Sequence, residues 1–139
     1  LGYINRRQNF TKRDAIIFRV TGQVASESLD PSQLFMINGT NGVAAFTNDE
    51  DVSGRSGVNG RATFEHSFAP ALSASVFYDF GKVYGAPANR PTSLRGVGLG
   101  ASWRPIAGLT IDASVGRPIS APDAFDNSVK TWISARLSF

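Results

Sequence analysis

The chain has 139 residues, 14 basic against 11 acidic side chains, a formal charge of +3 and no cysteine. The length suits one domain, and the missing cysteine excludes disulfides and thiolate metal sites. No run of about 18 apolar residues occurs, which excludes a transmembrane helix.

Leu1 is not a start methionine and no apolar core of secretory type follows it, so the chain reads as one that has lost a leader or as a fragment. Fourteen glycines and seven prolines punctuate it, and no long stretch carries a 3.6-residue apolar period, so helices should be rare. Arg6, Arg7, Lys12 and Arg13 cluster near the start. Such a cluster can serve anionic headgroups or nucleic acid, but it is read here as a solvated loop with no nucleic-acid partner.

About six strands follow. The first spans roughly Ala15 to Ala25, with Ile16, Phe18, Val20 and Val24 alternating against Ile17, Arg19, Thr21 and Gln23. A long irregular segment runs from about Ser26 to Ser56 through Asp30-Pro31, Asn38-Gly39 and Asn41-Gly42, which are turn signals. Loops of that length are usually functional. The second strand spans about Val58 to Phe68, and Ala69-Pro70 turns into the third, about Leu72 to Val83. Gly85 to Pro91 is a loop; the fourth strand is about Ser93 to Arg104, with Pro105 to Gly108 as a short turn. The fifth runs from Leu109 to Gly116, and Pro118 to Ser128 is again a loop.

The last strand, Lys130 to Phe139, is the most telling. Thr131, Ile133, Ala135, Leu137 and Phe139 share one face; Trp132, Ser134, Arg136 and Ser138 share the other. Side chains alternate with period two along a strand. One face mostly apolar and one mostly polar suits a membrane β-barrel, where lipid meets one side and a wet lumen the other. Short turns alternating with long loops have the asymmetry of outer-membrane barrels. The fold class expected is therefore all-β, an antiparallel transmembrane β-barrel. Six strands are too few to close one, and an open edge in lipid leaves backbone groups unpaired. The missing strands must come from the same longer chain or from other subunits. A self-assembling or porin-like barrel subunit is the first alternative, and a soluble antiparallel β-domain with a binding role is the second.

Three ordered segments carry a resemblance: Thr21-Gly22-Gln23-Val24-Ala25, Leu29-Asp30-Pro31-Ser32-Gln33-Leu34-Phe35, and Asn38-Gly39-Thr40-Asn41-Gly42-Val43-Ala44-Ala45-Phe46. Together with Gly54, Gly57 and Glu65, then Phe77-Tyr78-Asp79-Phe80-Gly81, then Gly96, Gly98 and Gly100, then Arg117-Pro118 and Phe139, they make the chain from about Ala15 onward resemble the two-partner secretion transporters. These are the haemolysin and filamentous-haemagglutinin secretion/activation proteins, of TpsB type. The resemblance implies that residues 1–139 are the C-terminal part of a larger barrel, that the loop at about 26–56 enters the lumen, and that periplasmic POTRA domains precede the barrel. It implies a bacterial outer-membrane pore that passes an unfolded exoprotein to the surface, with no cofactor. It implies as partners that exoprotein, the lipid bilayer and the outer-membrane assembly machinery, which would read Trp132, Leu137 and Phe139. The family's loop tip carries an arginine that pairs with an acidic residue in the lumen. In this chain the tip is Val43, Ala44, Ala45 and Phe46, and Ala44 stands in the arginine's place. The acid implied is Asp79 with Glu65 nearby, and Arg55 or Arg61 is left to anchor the loop by another route. Arginine restored at position 44 is expected to strengthen the anchor.

Other candidates have simpler readings. Gly96-Val97-Gly98-Leu99-Gly100 lacks the helix and spacing of a phosphate loop and reads as small residues that let a loop approach. His66 is the only histidine, so no histidine metal cluster exists, and it reads as interfacial. Asn48-Asp49-Glu50-Asp51 lacks EF-hand spacing and reads as solvated. Glu65 and Asp79 have no nucleophile or pocket signal beside them and read as lumen charges, so no catalytic residue is assigned. Tyr78, Tyr84, Trp103 and Trp132 suit an aromatic girdle or a lumen lining.

Overall fold

Residues that switch polarity at every second position favour extended backbone with two unlike faces. The computed structural model describes residues 1–25, 33–39, 42–46, 52–85, 93–120 and 127–138, and these form nine strands and no α-helix. They are β1 (Gly2–Asn9), β2 (Asp14–Gln23), β3 (Phe35–Met36), β4 (Ser53–Gly54), β5 (Ser56–Ala69), β6 (Leu72–Tyr84), β7 (Ser93–Ile106), β8 (Leu109–Ser120) and β9 (Lys130–Leu137). Seven make one sheet in the order β1, β2, β5, β6, β7, β8, β9, with each pair antiparallel. The ladder of β3 with β4 lies apart, inside the connection between β2 and β5.

Register carries the two faces across the sheet. Arg19, Arg61, Asp79 and Gly96 stand in one cross-strand row. The adjacent row, on the opposite face, is Arg6, Phe18, Ala62, Tyr78, Val97 and Arg117. A one-residue slip in any strand would exchange the faces, so the apolar pattern holds the register. Short connections at 10–13, 70–71 and 107–108 occupy one end of the sheet, and the strand ends that the longer segments 24–55, 85–92 and 121–129 join lie at the other.

Three expectations are corrected. The sheet has seven strands rather than about six, because Gly2–Asn9 is a strand paired with β2 and not a solvated loop. Every residue of β1 is exposed and most are polar, so no apolar stripe betrays it; pairing with β2 is what orders it. β8 continues through Pro118 to Ser120 instead of ending at Gly116. Pro118 sits opposite Gly96 beside a register shift, where a missing N–H is tolerated. The long connection carries two short strands and is not wholly irregular. The acidic run at 48–51, the tripeptide Leu29-Asp30-Pro31 and Phe139 lie outside the described residues.

The buried apolar cluster is Phe35, Ile37, Val43, Ala45, Phe46, Val52, Val83 and Leu94. Only Val83 and Leu94 belong to the seven-stranded sheet. The core therefore lies between the long connection and one face of the sheet, and the opposite face is largely exposed.

Candidate functional site

The described parts of the 24–55 connection rest on a floor from which side chains are missing. A Cβ added at Gly81 would lie 2.8 Å from Ile37 Cβ, and one at Gly96 would lie 2.7 Å from Ala45 Cβ. At Gly57 it would meet the Phe35 ring, and at Gly116 it would come within 3.2 Å of the Ala45 nitrogen. Close backbone approach is a standard use of strand glycine. Burial in the strands beneath reflects it: from Val76 to Tyr84, Phe77, Asp79, Gly81 and Val83 are buried while their neighbours face outward.

The tip of the connection folds on itself. Val43 N–H donates to Ile37 C=O (2.7 Å), Gly39 N–H to Phe46 C=O (3.0 Å) and Phe46 N–H to Val43 C=O (3.1 Å). Gly39 has a φ of 80°, a conformation that glycine adopts without strain. Nearer the sheet, the Gln23 side-chain amide donates to Gln33 C=O at 2.8 Å and to Arg55 C=O at 3.4 Å, tying the connection's two ends together.

Ala44 is turned outward from this closed tip and is gripped from both sides. Its N–H donates to Asp79 Oδ2 at 3.0 Å, and its C=O accepts from Trp132 Nε1 at 2.8 Å. Asp79 comes from β6 and Trp132 from β9, three strands away. Asp79 is fully buried, and a buried carboxylate is tolerated only when paired and hydrogen-bonded. Arg61, its direct cross-strand partner, forks onto it with Nε to Oδ1 at 2.5 Å and Nη2 to Oδ2 at 2.8 Å. Such a bidentate pair fixes geometry as well as charge. The guanidinium carbon also stands 4.3 Å from the centre of the Phe77 ring, a cation–π contact. Gly98, opposite Phe77, makes the room, since any Cβ there would collide with that ring.

Among the residues singled out from sequence, the structure thus brings together Ala44, Asp79, Arg61 and Trp132. Val43, Ala45 and Phe46 are buried beside them in the tip's own core. Glu65 does not join: it accepts from Arg7 Nη2 at 2.7 Å, because β1 places that cation on the same face two strands away. Arg55 lies against Gly85 at the end of β6. His66 Nδ1 meets Asp14 Oδ1 at 2.7 Å near the short-turn end, on the apolar face. Leu137 faces that side too, 56 % exposed. Tyr78, Tyr84 and Trp103 are on the apolar face, and Trp132 is on the face that bears the connection. A signal for Trp132 exists in the sequence: it is the one large aromatic on a strand face otherwise made of Lys130, Ser134, Arg136 and Ser138.

Two substitutions follow from this grip. Trp132→Phe keeps the ring and removes only the donor to Ala44 C=O. It is expected to loosen the tip by about 1 kcal/mol, the usual net worth of one hydrogen bond, visible as faster hydrogen exchange at 42–46 with the sheet unchanged. Ala44→Arg is expected to loosen the tip rather than strengthen it. Asp79 is already held by Arg61 in a bidentate pair, so a second guanidinium finds that carboxylate occupied and meets the like charge of Arg61.

Below the tip, on the same face, is a cavity of about 590 Å³ whose lining includes Arg19, Glu65, Ser75, Asp112, Trp132 and Arg136. Its walls carry both signs of charge and several hydroxyls.

A family model described as haemolysin secretion/activation protein ShlB/FhaC/HecB matches residues 2–103. No curated protein matches the chain. Among solved structures, CdiB from Acinetobacter baumannii is similar with a TM-score of 0.83 and 24% identity, over 99% of this chain and 26% of that one. The likeness is one of fold, and the chain spans about a quarter of CdiB's length.

Proposed function

The chain belongs to the haemolysin secretion/activation protein family (ShlB/FhaC/HecB) of bacterial outer-membrane transporters, and we propose that it supplies one wall of a pore that passes an unfolded exoprotein to the cell surface. The sheet is an unclosed part of a transmembrane β-barrel: among the described residues, β1 and β9 each have a single neighbour. Unpaired strand edges are costly in lipid, so the rest of a longer chain closes the wall. In this reading the face that bears the connection looks into the lumen, and the 24–55 segment is a plug laid against the wall. The outer-membrane assembly machinery reads the last strand, through Leu137 and Phe139.

The observation that carries the reading is the double grip on Ala44. A plug must be held at rest and released for a substrate to pass. Here the wall takes hold of Ala44 through its main-chain N–H and C=O, by Asp79 on one side and Trp132 on the other. Asp79 keeps its counter-ion within the wall, since Arg61 and Asp79 are cross-strand neighbours. Release of the tip therefore parts no ion pair and strands no buried charge. A loop arginine in the Ala44 position would make the ion pair itself part of the bond to be broken.

The test is comparative surface proteomics of cells with and without the full-length protein. Loss of one large exoprotein from the surface and medium is expected, with its precursor retained in the periplasm. An unchanged surface proteome would overturn the reading. In planar bilayers the intact protein is expected to show a low resting conductance with brief openings.

A further inference from the structure

The face of the sheet turned away from the connection carries a row of cations that the transport reading leaves unused. Lys82 on β6, Arg95 on β7 and Arg117 on β8 are exposed and stand on neighbouring strands. The register puts all three on the apolar face: Arg95 is opposite Phe80, Arg117 is opposite Val97, and Val97 is opposite Tyr78. Lys82 shares that face with Tyr78 and Phe80 by strand alternation, and its Nζ lies 5.2 Å from the Tyr84 ring centre.

Their level in the sheet is common. Lys82 is ten residues from the short-turn end of β6, Arg95 eleven from that of β7, and Arg117 eight from that of β8. At about 3.3 Å per residue and a tilt of roughly 40°, these steps place the three cations about 20 to 28 Å above the short turns. The apolar band of an outer-membrane barrel is about 25 Å tall. The three charges thus mark the boundary at the long-connection end, which in such barrels faces the cell exterior.

Among the described residues no carboxylate stands beside the row. Of the carboxylates among the described residues, Glu65, Asp79 and Asp112 stand on the connection-bearing face; Asp14 is on the apolar face but at the short-turn end. Directly beneath the cations is a shallow apolar trough of about 700 Å³, walled by Phe18, Phe64, Val76, Tyr78 and Leu99, with Arg117 at its margin. Three clustered cations select phosphate, and an apolar trough under them selects an acyl chain.

We propose that Lys82, Arg95 and Arg117 form a binding site for the phosphate groups of an outer-leaflet glycolipid, whose acyl chain lies in the trough below. The occupant is a phosphorylated glycolipid rather than free phosphate, because the trough gives the acyl chain its own contacts. The site rests on the outer-membrane placement and not on secretion, so glycolipid binding and exoprotein delivery fail independently.

The experiment uses the full-length protein that carries this chain, exchanged into phosphatidylcholine vesicles that contain either bisphosphorylated lipid A or its dephosphorylated form. Bound lipid is counted by native mass spectrometry. The wild-type protein is expected to prefer the bisphosphorylated form by about tenfold or more, from three surface charges each contributing several-fold. Lys82→Gln/Arg95→Gln/Arg117→Gln is expected to lose that preference, and Lys82→Arg/Arg95→Lys/Arg117→Lys to keep it. Heat-modifiable gel mobility checks that each barrel has folded; should the triple glutamine protein fail, Arg117→Gln alone is read in the same assay for a several-fold loss. A wild-type protein that binds both forms equally, or a folded glutamine variant that keeps the preference, would overturn the proposal. So would displacement of the lipid by inorganic phosphate, which would show that the trough adds nothing.

Discussion

Asp79→Ala is expected to free the plug and open the resting pore while the protein still inserts. The carboxylate receives three donors: Nε and Nη2 of Arg61 and the Ala44 N–H. Its removal leaves a guanidinium without its partner at a largely enclosed site and the Ala44 N–H without an acceptor. Breaking a buried pair from one side costs about 3–5 kcal/mol. The lower end is expected here, because 26% of the Arg61 side chain remains accessible and water can reach it. The local grip is affected most, so the expected results are a resting conductance several-fold higher and prompt proteolysis of the 24–55 segment. Asp79→Asn separates the two roles. Its amide oxygen can still accept from Ala44 N–H, but the charge that holds Arg61 is gone, and an intermediate effect is expected. If Arg61→Ala is added to Asp79→Ala, the cost should fall below the sum of the single changes, because the cation that would be left unpaired is gone too. A double variant as damaging as that sum would refute the pairing logic.

Gly81→Leu with Gly96→Leu is expected to give the second large effect through packing alone. A Cβ at Gly81 would come within 2.8 Å of Ile37 Cβ, and one at Gly96 within 2.7 Å of Ala45 Cβ and 3.3 Å of Val43 Cγ1. These neighbours belong to a tip that closes on itself by main-chain hydrogen bonds, so it must lift as a unit. Overpacking of this kind costs about 1–3 kcal/mol per site. Both glycines sit within long ladders, and leucine is acceptable to a strand, so the sheet is expected to persist. Proteolysis of the 24–55 segment should rise as it does for Asp79→Ala, with heat-modifiable gel mobility unchanged. Unchanged protection of the segment would mean that the glycines do not seat it.

The contrast between the two variants separates charge from contact. Asp79→Ala removes the hold and leaves the floor; the glycine pair removes the floor and leaves the hold. Equal opening by both would assign the closed state to a balance of the two terms.

Most of the sheet was legible in the sequence because lipid on one side and water on the other impose a period of two. Ile111, Ala113 and Val115 against Thr110, Asp112 and Ser114 can be sorted by eye. Gly2–Asn9 escaped because neither of its faces is apolar throughout. Its strand identity comes from β2, which offers backbone partners from Ala15 to Gly22. Pro118 misled as a strand terminator, because tolerance for a missing N–H depends on the local register shift, which no local signal reveals.

The candidate site divides in the same way. Asp79 stands out in sequence as a charge inside an aromatic strand, and Ala44 as a small residue at a loop tip. What joins them is a contact 35 positions apart made by a backbone N–H, and no side-chain identity encodes that. Arg61 and Asp79 form a pair only because the β5–β6 register sets them opposite each other; a slip of one residue would send one of them to the other face. Glu65, as plausible from sequence, is claimed by Arg7 because β1 stands two strands away. By itself the sequence determined six strands of the sheet, their two faces and the unequal lengths of their connections, since these follow from local alternation and turn chemistry. Only the tertiary structure decided which charge met which, and that Asp79 and Trp132 take hold of main-chain groups of Ala44, because long-range register and close backbone approach exist only once the sheet is assembled.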